Sequence, residues 1–143
     1  MNFLARLAIV ITAIVFGIRA GAAEAPHLAL ELNKVESSGD GCRMTFRAMN
    51  TYPFKLEDIT VEVYIVDQKG VVLQSLQFPF GYVLAGKSRF AKFDIKSTKC
   101  DAIGGMFVNE FKSCKGPTDM VLECREALKV SNLSAINFTD GDP

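Results

Sequence analysis

Ile59-Thr60-Val61-Glu62-Val63-Tyr64-Ile65-Val66-Asp67-Gln68-Lys69-Gly70-Val71-Val72 is the stretch on which the fold class turns. Its apolar side chains at 59, 61, 63 and 65 alternate with Thr60, Glu62 and Tyr64. That period of two suits a strand with one face buried and one face wet. Asp67-Gln68-Lys69-Gly70 then supplies a tight turn, and its glycine can take a positive φ at no steric cost. A second apolar run starts at Val71, so the stretch reads as a β-hairpin.

The same pattern recurs on both sides. Leu28–Leu32 alternates and reads as a first strand. Ser37–Gly41 is a turn. Cys42–Met49 is a second strand, with Cys42, Met44, Phe46 and Ala48 on one face, broken by Asn50-Thr51-Tyr52-Pro53. Beyond the hairpin, Val71–Phe80 is a fourth strand that ends near Pro79. Leu84–Lys87 turns the chain, and Ser88–Ile95 is a fifth strand with Ala91, Phe93 and Ile95 on one side. Ala102–Phe111 is a sixth, apolar on both faces at Met106-Phe107-Val108, as a central strand would be. Its Gly104-Gly105 pair reads as a bulge or a close approach. Residues 115–126 read as a loop or short helix, with Thr118-Asp119 capping a turn at Met120–Leu122. Ala127–Phe138 closes the set, with a bend near Asn132. The sequons at Asn132 and Asn137 read as strand sequence. Seven short strands and no stretch of helical period point to an all-β, immunoglobulin-like antiparallel sandwich.

Composition agrees. The chain has 143 residues, 49% of them hydrophobic and 22% charged, which favours one packed domain over disorder. Sixteen basic and sixteen acidic residues leave no net charge, unlike the basic excess of nucleic-acid binders.

Residues 1–23 stand apart as a secretory signal peptide. Arg6 provides a positive start, Leu7–Ile18 an apolar segment, and Ala20-Gly21-Ala22-Ala23 a cleavage region, after Ala22 or Ala23. As a helix the apolar segment spans about 18 Å, short of the roughly 30 Å bilayer core. No Cys follows the cleavage region, as a lipoprotein would need, and Arg6 stands alone rather than as a twin arginine. The remaining domain, 24–143, loses Arg6 and Arg19 and becomes weakly acidic, with no pull toward anionic membranes. The expected location is the periplasm.

All four cysteines, Cys42, Cys100, Cys114 and Cys124, lie in the exported part, and an even count there reads as two disulfides. No C-x-x-C is present, which argues against zinc and thioredoxin-type sites. Alternating strand directions put Cys42 and Cys100 at one end of the sandwich and Cys114 and Cys124 at the other. The expected pairs are therefore Cys42–Cys100 and Cys114–Cys124.

Asn50-Thr51, the Val-rich strand Leu56–Val66, Asp67-x-x-Gly70 and the later turn Leu84-Ala85-Gly86-Lys87-Ser88 resemble FxLYD-type immunoglobulin-like domains over about 50 residues. Val66 stands where that pattern has an aromatic residue. The chain also resembles small periplasmic proteins of alphaproteobacteria through Leu30-Glu31-Leu32-Asn33-Lys34 and Cys100-Asp101-Ala102-Ile103-Gly104. That resemblance implies a periplasmic location and no particular activity.

Three functional readings follow. The leading one is a non-catalytic binding or assembly module whose partner is another envelope protein. Its candidate surface is Phe78-Pro79-Phe80-Gly81-Tyr82, with Phe78, Phe80 and Tyr82 as contacts, weighed against a core role for the two phenylalanines. Free sheet edges offer a second route to a partner. A periplasmic copper-binding protein would have to use His27, Met44, Met49, Met106 and Met120, which are not clustered. Met44 and Met106 fit the core, and His27 fits a solvated residue near the mature N-terminus. A carboxylate-dependent enzyme would have Glu57-Asp58 and Asp140 with Asp142, all read as loop residues. No cofactor is implied, and no catalytic residue is assigned.

Overall fold

A computed structural model describes residues 21–141. Eight strands form within that range: β1 Leu28–Ser38, β2 Gly41–Asn50, β3 Leu56–Val66, β4 Val72–Val83, β5 Ser88–Ile95, β6 Gly105–Lys115, β7 Leu128–Asn132 and β8 Asn137–Thr139. They build two four-stranded sheets, ordered β5-β2-β1-β7 and β4-β3-β6-β8. This is an immunoglobulin-like sandwich in which the fourth strand pairs with the third. The expected signal peptide, 1–23, lies mostly outside the described residues. Gly21–Pro26 are exposed and carry no regular structure. Among the described residues, no helix is long and apolar enough to cross a membrane.

The hairpin that decides the fold closes as its sequence dictates. Asp67 Oδ1 accepts the Lys69 and Val71 amides at 2.8 and 2.9 Å, and Gly70 takes φ +81°. The turn rests on Gly104, where a Cβ would stand 2.3 Å from the Asp67 carbonyl oxygen. Of the glycine pair, Gly104 thus marks a close approach. Gly104→Ala must push two backbones apart and is expected to cost about 2 kcal/mol in urea unfolding; an unchanged midpoint would contradict this contact.

The interior follows the alternation. Ile59, Val61, Val63 and Ile65 are buried, and so are Cys42, Met44, Phe46 and Ala48. Phe46 sits at the centre, with ring centroids of Phe138, Phe78, Phe80 and Phe93 at 5.2, 5.6, 5.8 and 6.0 Å. Lacking tryptophan, the chain fills the core with phenylalanine from both sheets.

Several strand assignments shift: the first strand runs on to Ser38, and the sixth lies at Gly105–Lys115 after a 3-10 turn at Cys100–Ala102. The seventh expected strand splits at the bend. β7 joins β1 in one sheet, β8 joins β6 in the other, and both pairings are parallel. Asn132 makes the crossing: its Nδ2 donates to the Ile136 carbonyl and its Oδ1 accepts from the Ser134 amide at 2.8 Å. The fourth strand runs on past Pro79 to Val83, because an edge strand tolerates a proline that cannot donate a ladder bond. Its register against β3 slips around Ile59 and Thr60, and Gly81 there takes φ +72°.

Both disulfides form as expected, Cys42–Cys100 and Cys114–Cys124. The extra strand arises after Cys124, so the parity that pairs the cysteines is unaffected. Their presence indicates an oxidising, exported environment. Between Cys114 and Cys124 no helical turn caps at Thr118. Pro117–Asp119 is a single 3-10 turn, Thr118 and Asp119 take positive φ, and Val121 bridges back to Lys115. Gly116 donates to the Met120 carbonyl at 2.7 Å, which selects this tight reversal over a helix.

Candidate functional site

β4 and β5 are the last strands of their sheets on one side of the sandwich. The aromatic stretch divides there. Phe78 and Phe80 are 3% and 2% exposed, whereas Tyr82 is 52% exposed. Simple alternation would put 78, 80 and 82 on one face. The bulge at Gly81 changes the parity, so Val83 turns inward and Tyr82 outward. The two phenylalanines belong to the core. Phe78 stacks on Phe93 of β5 at 4.5 Å, and Phe80 meets Phe93 edge-on at 5.3 Å. They brace β5 from behind.

Tyr82 is the exposed member of the stretch. The Arg89 guanidinium lies 4.8 Å from its ring centroid, and the Lys55 ammonium 5.6 Å. Arg89 also donates to the Tyr82 carbonyl at 3.1 Å, tying β5 to β4 across the gap. Leu84 is exposed beside it, and Tyr82, Leu84, Lys87 and Arg89 line a shallow depression. Cation–π contacts hold an aromatic ring in one orientation while leaving its rim open to a partner.

The segment that follows is strongly basic. Lys87, Arg89, Lys92, Lys96 and Lys99 occupy thirteen residues with one acid, Asp94. All five are exposed. Asp94 is already held by Arg43 of β2, in two bonds of 2.7 and 2.9 Å. Hydrogen bonding to that guanidinium keeps the Asp94 carboxyl below its usual range. Among the described residues, none of the five cations has a carboxylate within ion-pair distance. Sequence reading missed this stripe because the charges are spaced by two to four residues and form no run. The excess of cations over acids between 87 and 99 is the signal that could have found it.

The residues of the other two readings lie apart. His27 is not solvated: it is 6% exposed at the start of β1. Its amide donates to Thr51 Oγ1 at 2.7 Å, its Nδ1 meets the Ala25 carbonyl at 2.9 Å, and its carbonyl accepts the Thr51 amide. The histidine is a fastener between β1 and the turn after β2. Met44 and Met106 are fully buried, Met49 lies half-buried on β2, and Met120 is exposed in the loop after β6. Glu57 and Asp58 fall within β3 rather than a loop, and Glu57 pairs with Lys55 at 2.7 Å. Asp140 is exposed and Asp142 lies outside the described residues. Facing carboxylates occur at Glu62 and Glu110, which are direct cross-strand partners with Lys112 reaching both. A hydrogen bond from Asn109 holds Glu62 below its usual range, the opposite of what a general acid requires.

No protein-family profile and no curated protein matches the chain. A solved structure of IrmA from Escherichia coli is similar in fold, with a TM-score of 0.56 at 12% identity. The likeness covers 73% of this chain and 91% of that one.

Proposed function

We propose that the chain is an exported, non-catalytic binding or assembly protein of the cell envelope. In this reading a signal peptide ending at Ala22 or Ala23 is removed and the domain works in the periplasm. The partner is another envelope protein, met through the β4–β5 side. One observation carries the reading: Tyr82 stands exposed, braced by Arg89 and Lys55, beside exposed Leu84. Aromatic side chains flanked by arginine are the commonest anchors of protein interfaces. The FxLYD-type resemblance belongs to the same proposal. The residues that carry it, Asn50, Asp67 and Gly86, all organise turns here.

The test is affinity capture of crosslinked partners from periplasmic extract, with the wild-type protein, Tyr82→Ala and, as a control two strands away on β6, Glu110→Gln. One partner lost at least tenfold by Tyr82→Ala and retained by Glu110→Gln is the expected result. A partner retained by both variants would remove this surface from the proposal. The same preparation reports the mature N-terminus by mass spectrometry, with Ala23 or Glu24 expected as its first residue.

A further inference from the structure

Arg89 and Lys92 lie on β5, whose outer edge is open, and Lys87, Lys96 and Lys99 lie on the segments that flank it; edge and charge together specify a ligand. Among the described residues, β5 pairs with β2 alone. The Asn50 amide donates to the Lys87 carbonyl, which fixes the alternation of the antiparallel ladder. Residues 89, 91, 93 and 95 therefore turn their backbone groups to β2. Ser88, Phe90, Lys92 and Asp94 turn theirs to the open side. Eight residues of extended backbone with unspent donors and acceptors form a template for another strand.

The neighbouring edge of β4 is a poorer template. Pro79 lacks an amide, Gly81 bends the strand, and the register slips between them. β7 and β8, on the other side, are five and three residues long. β5 is regular throughout, since its pairing with β2 runs from Met49↔Ser88 to Cys42↔Ile95 without a slip. The strand is also anchored toward its C-terminal end, while the Asn50 amide holds Lys87 at its start. Phe78 and Phe80 hold Phe93, and the Cys42–Cys100 bridge tethers the chain five residues past Ile95.

Charge selects the occupant. A second copy adding through its own β5 would set Lys92 and its neighbours against the same stripe, and like charges across strands repel. Lysine on an edge commonly serves to keep copies apart. The same five cations attract an anionic strand, in a chain whose exported part is otherwise acidic. Exposed Phe90, 58% accessible, offers an apolar cross-strand contact between the charges.

We propose that the β5 edge binds an acidic, extended peptide segment by strand addition, with Ser88, Phe90, Lys92 and Asp94 supplying the backbone bonds. Lys87, Arg89, Lys92, Lys96 and Lys99 supply the charge selection. The inference rests on the binding-module reading and names the chemistry of its partner.

The experiment titrates the oxidised, exported protein with acetyl-(Val-Glu)4-amide, read by amide hydrogen exchange and heteronuclear NMR. Strand addition slows exchange at residues 88, 90, 92 and 94 and leaves β7 unchanged. Binding weakens at least tenfold for Lys92→Glu/Lys96→Glu, for the Val-Gln peptide, and for a peptide N-methylated at alternate residues. Equal binding of the N-methylated peptide would overturn the proposal in favour of plain anion adsorption. Binding to phosphatidylglycerol vesicles without peptide protection of these amides would overturn it in favour of a lipid surface. If envelope capture fails with Tyr82→Ala yet persists with Lys92→Glu/Lys96→Glu, strand addition is wrong and the binding module stands. If capture is insensitive to both variants and the peptide does not bind, both readings fall.

Discussion

Replacing Cys42 and Cys100 together by alanine is expected to lower the unfolding free energy by about 4 kcal/mol. The bridge spans 58 residues of sequence, against 10 for Cys114–Cys124, so it removes more freedom from the unfolded chain. The shorter bridge should be worth about 3 kcal/mol on the same entropic model. A domain of this size has roughly 5–15 kcal/mol of net stability, so the loss is a large share of it. The longer bridge also holds the exit of β5 against the start of β2, and its loss should loosen the open edge. Urea unfolding of the two double variants gives the ranking directly. Equal midpoints for both would contradict the ranking, and wild-type midpoints for either would contradict a stabilising role for that bridge.

Asn50→Ala is expected to cost about 3 kcal/mol, because three hydrogen bonds, one buried and two partly buried, depend on one side chain. Asn50 is fully buried. Its Nδ2 donates to the Phe54 and Val83 carbonyls at 2.8 and 3.0 Å, and its Oδ1 accepts the Tyr52 amide at 2.9 Å. The residue thereby fastens the end of β2, the following turn and the end of β4. Alanine would leave three backbone groups without partners in a place where few waters reach. Asn50→Asp separates geometry from charge. Protonated, the aspartic acid can donate to one carbonyl; ionised, it faces two carbonyl oxygens with no proton to give. Its folded pKa should therefore rise above the ordinary 3.9 of the unfolded chain. Below that value the variant keeps what stability it has. As pH rises through the unfolded and then the folded pKa, it loses it. A midpoint that is flat from pH 3 to 7 would contradict this wiring.

The sandwich was legible where local pattern and tertiary demand agree. Ser88–Ile95 emerges with its bounds intact, since turn residues flank it and its inward face alternates cleanly. The cysteine pairing follows from strand parity alone. Three features were not legible, each for a physical reason. The split of the last strand depends on Asn132 bonding its own chain four residues on, a use of asparagine that alternation does not reveal. The outward turn of Tyr82 depends on a bulge, and one extra residue reverses every side chain beyond it. The burial of His27 depends on Thr51, which lies 24 positions away. In the aromatic stretch offered as a candidate surface, alternation did not reveal that Tyr82 alone is exposed. The cations were present in the sequence, but not the edge strand that they occupy and flank.

The parallel pairing of β1 with β7 sets Leu28 opposite Leu128. Any chain that emerges N-terminus first, from a ribosome or a pore, presents β1 long before that neighbour exists. β2 can pair with one side of β1 early, but the other side stays bare until almost the whole chain has followed. Closure of both sheets then waits on the same final residues, because β8 completes the second sheet only a few positions later. Completion of both sheets therefore follows the release of nearly the whole chain. A polypeptide stalled before residue 128 keeps one side of β1 bare, available to chaperones or to its own neighbours.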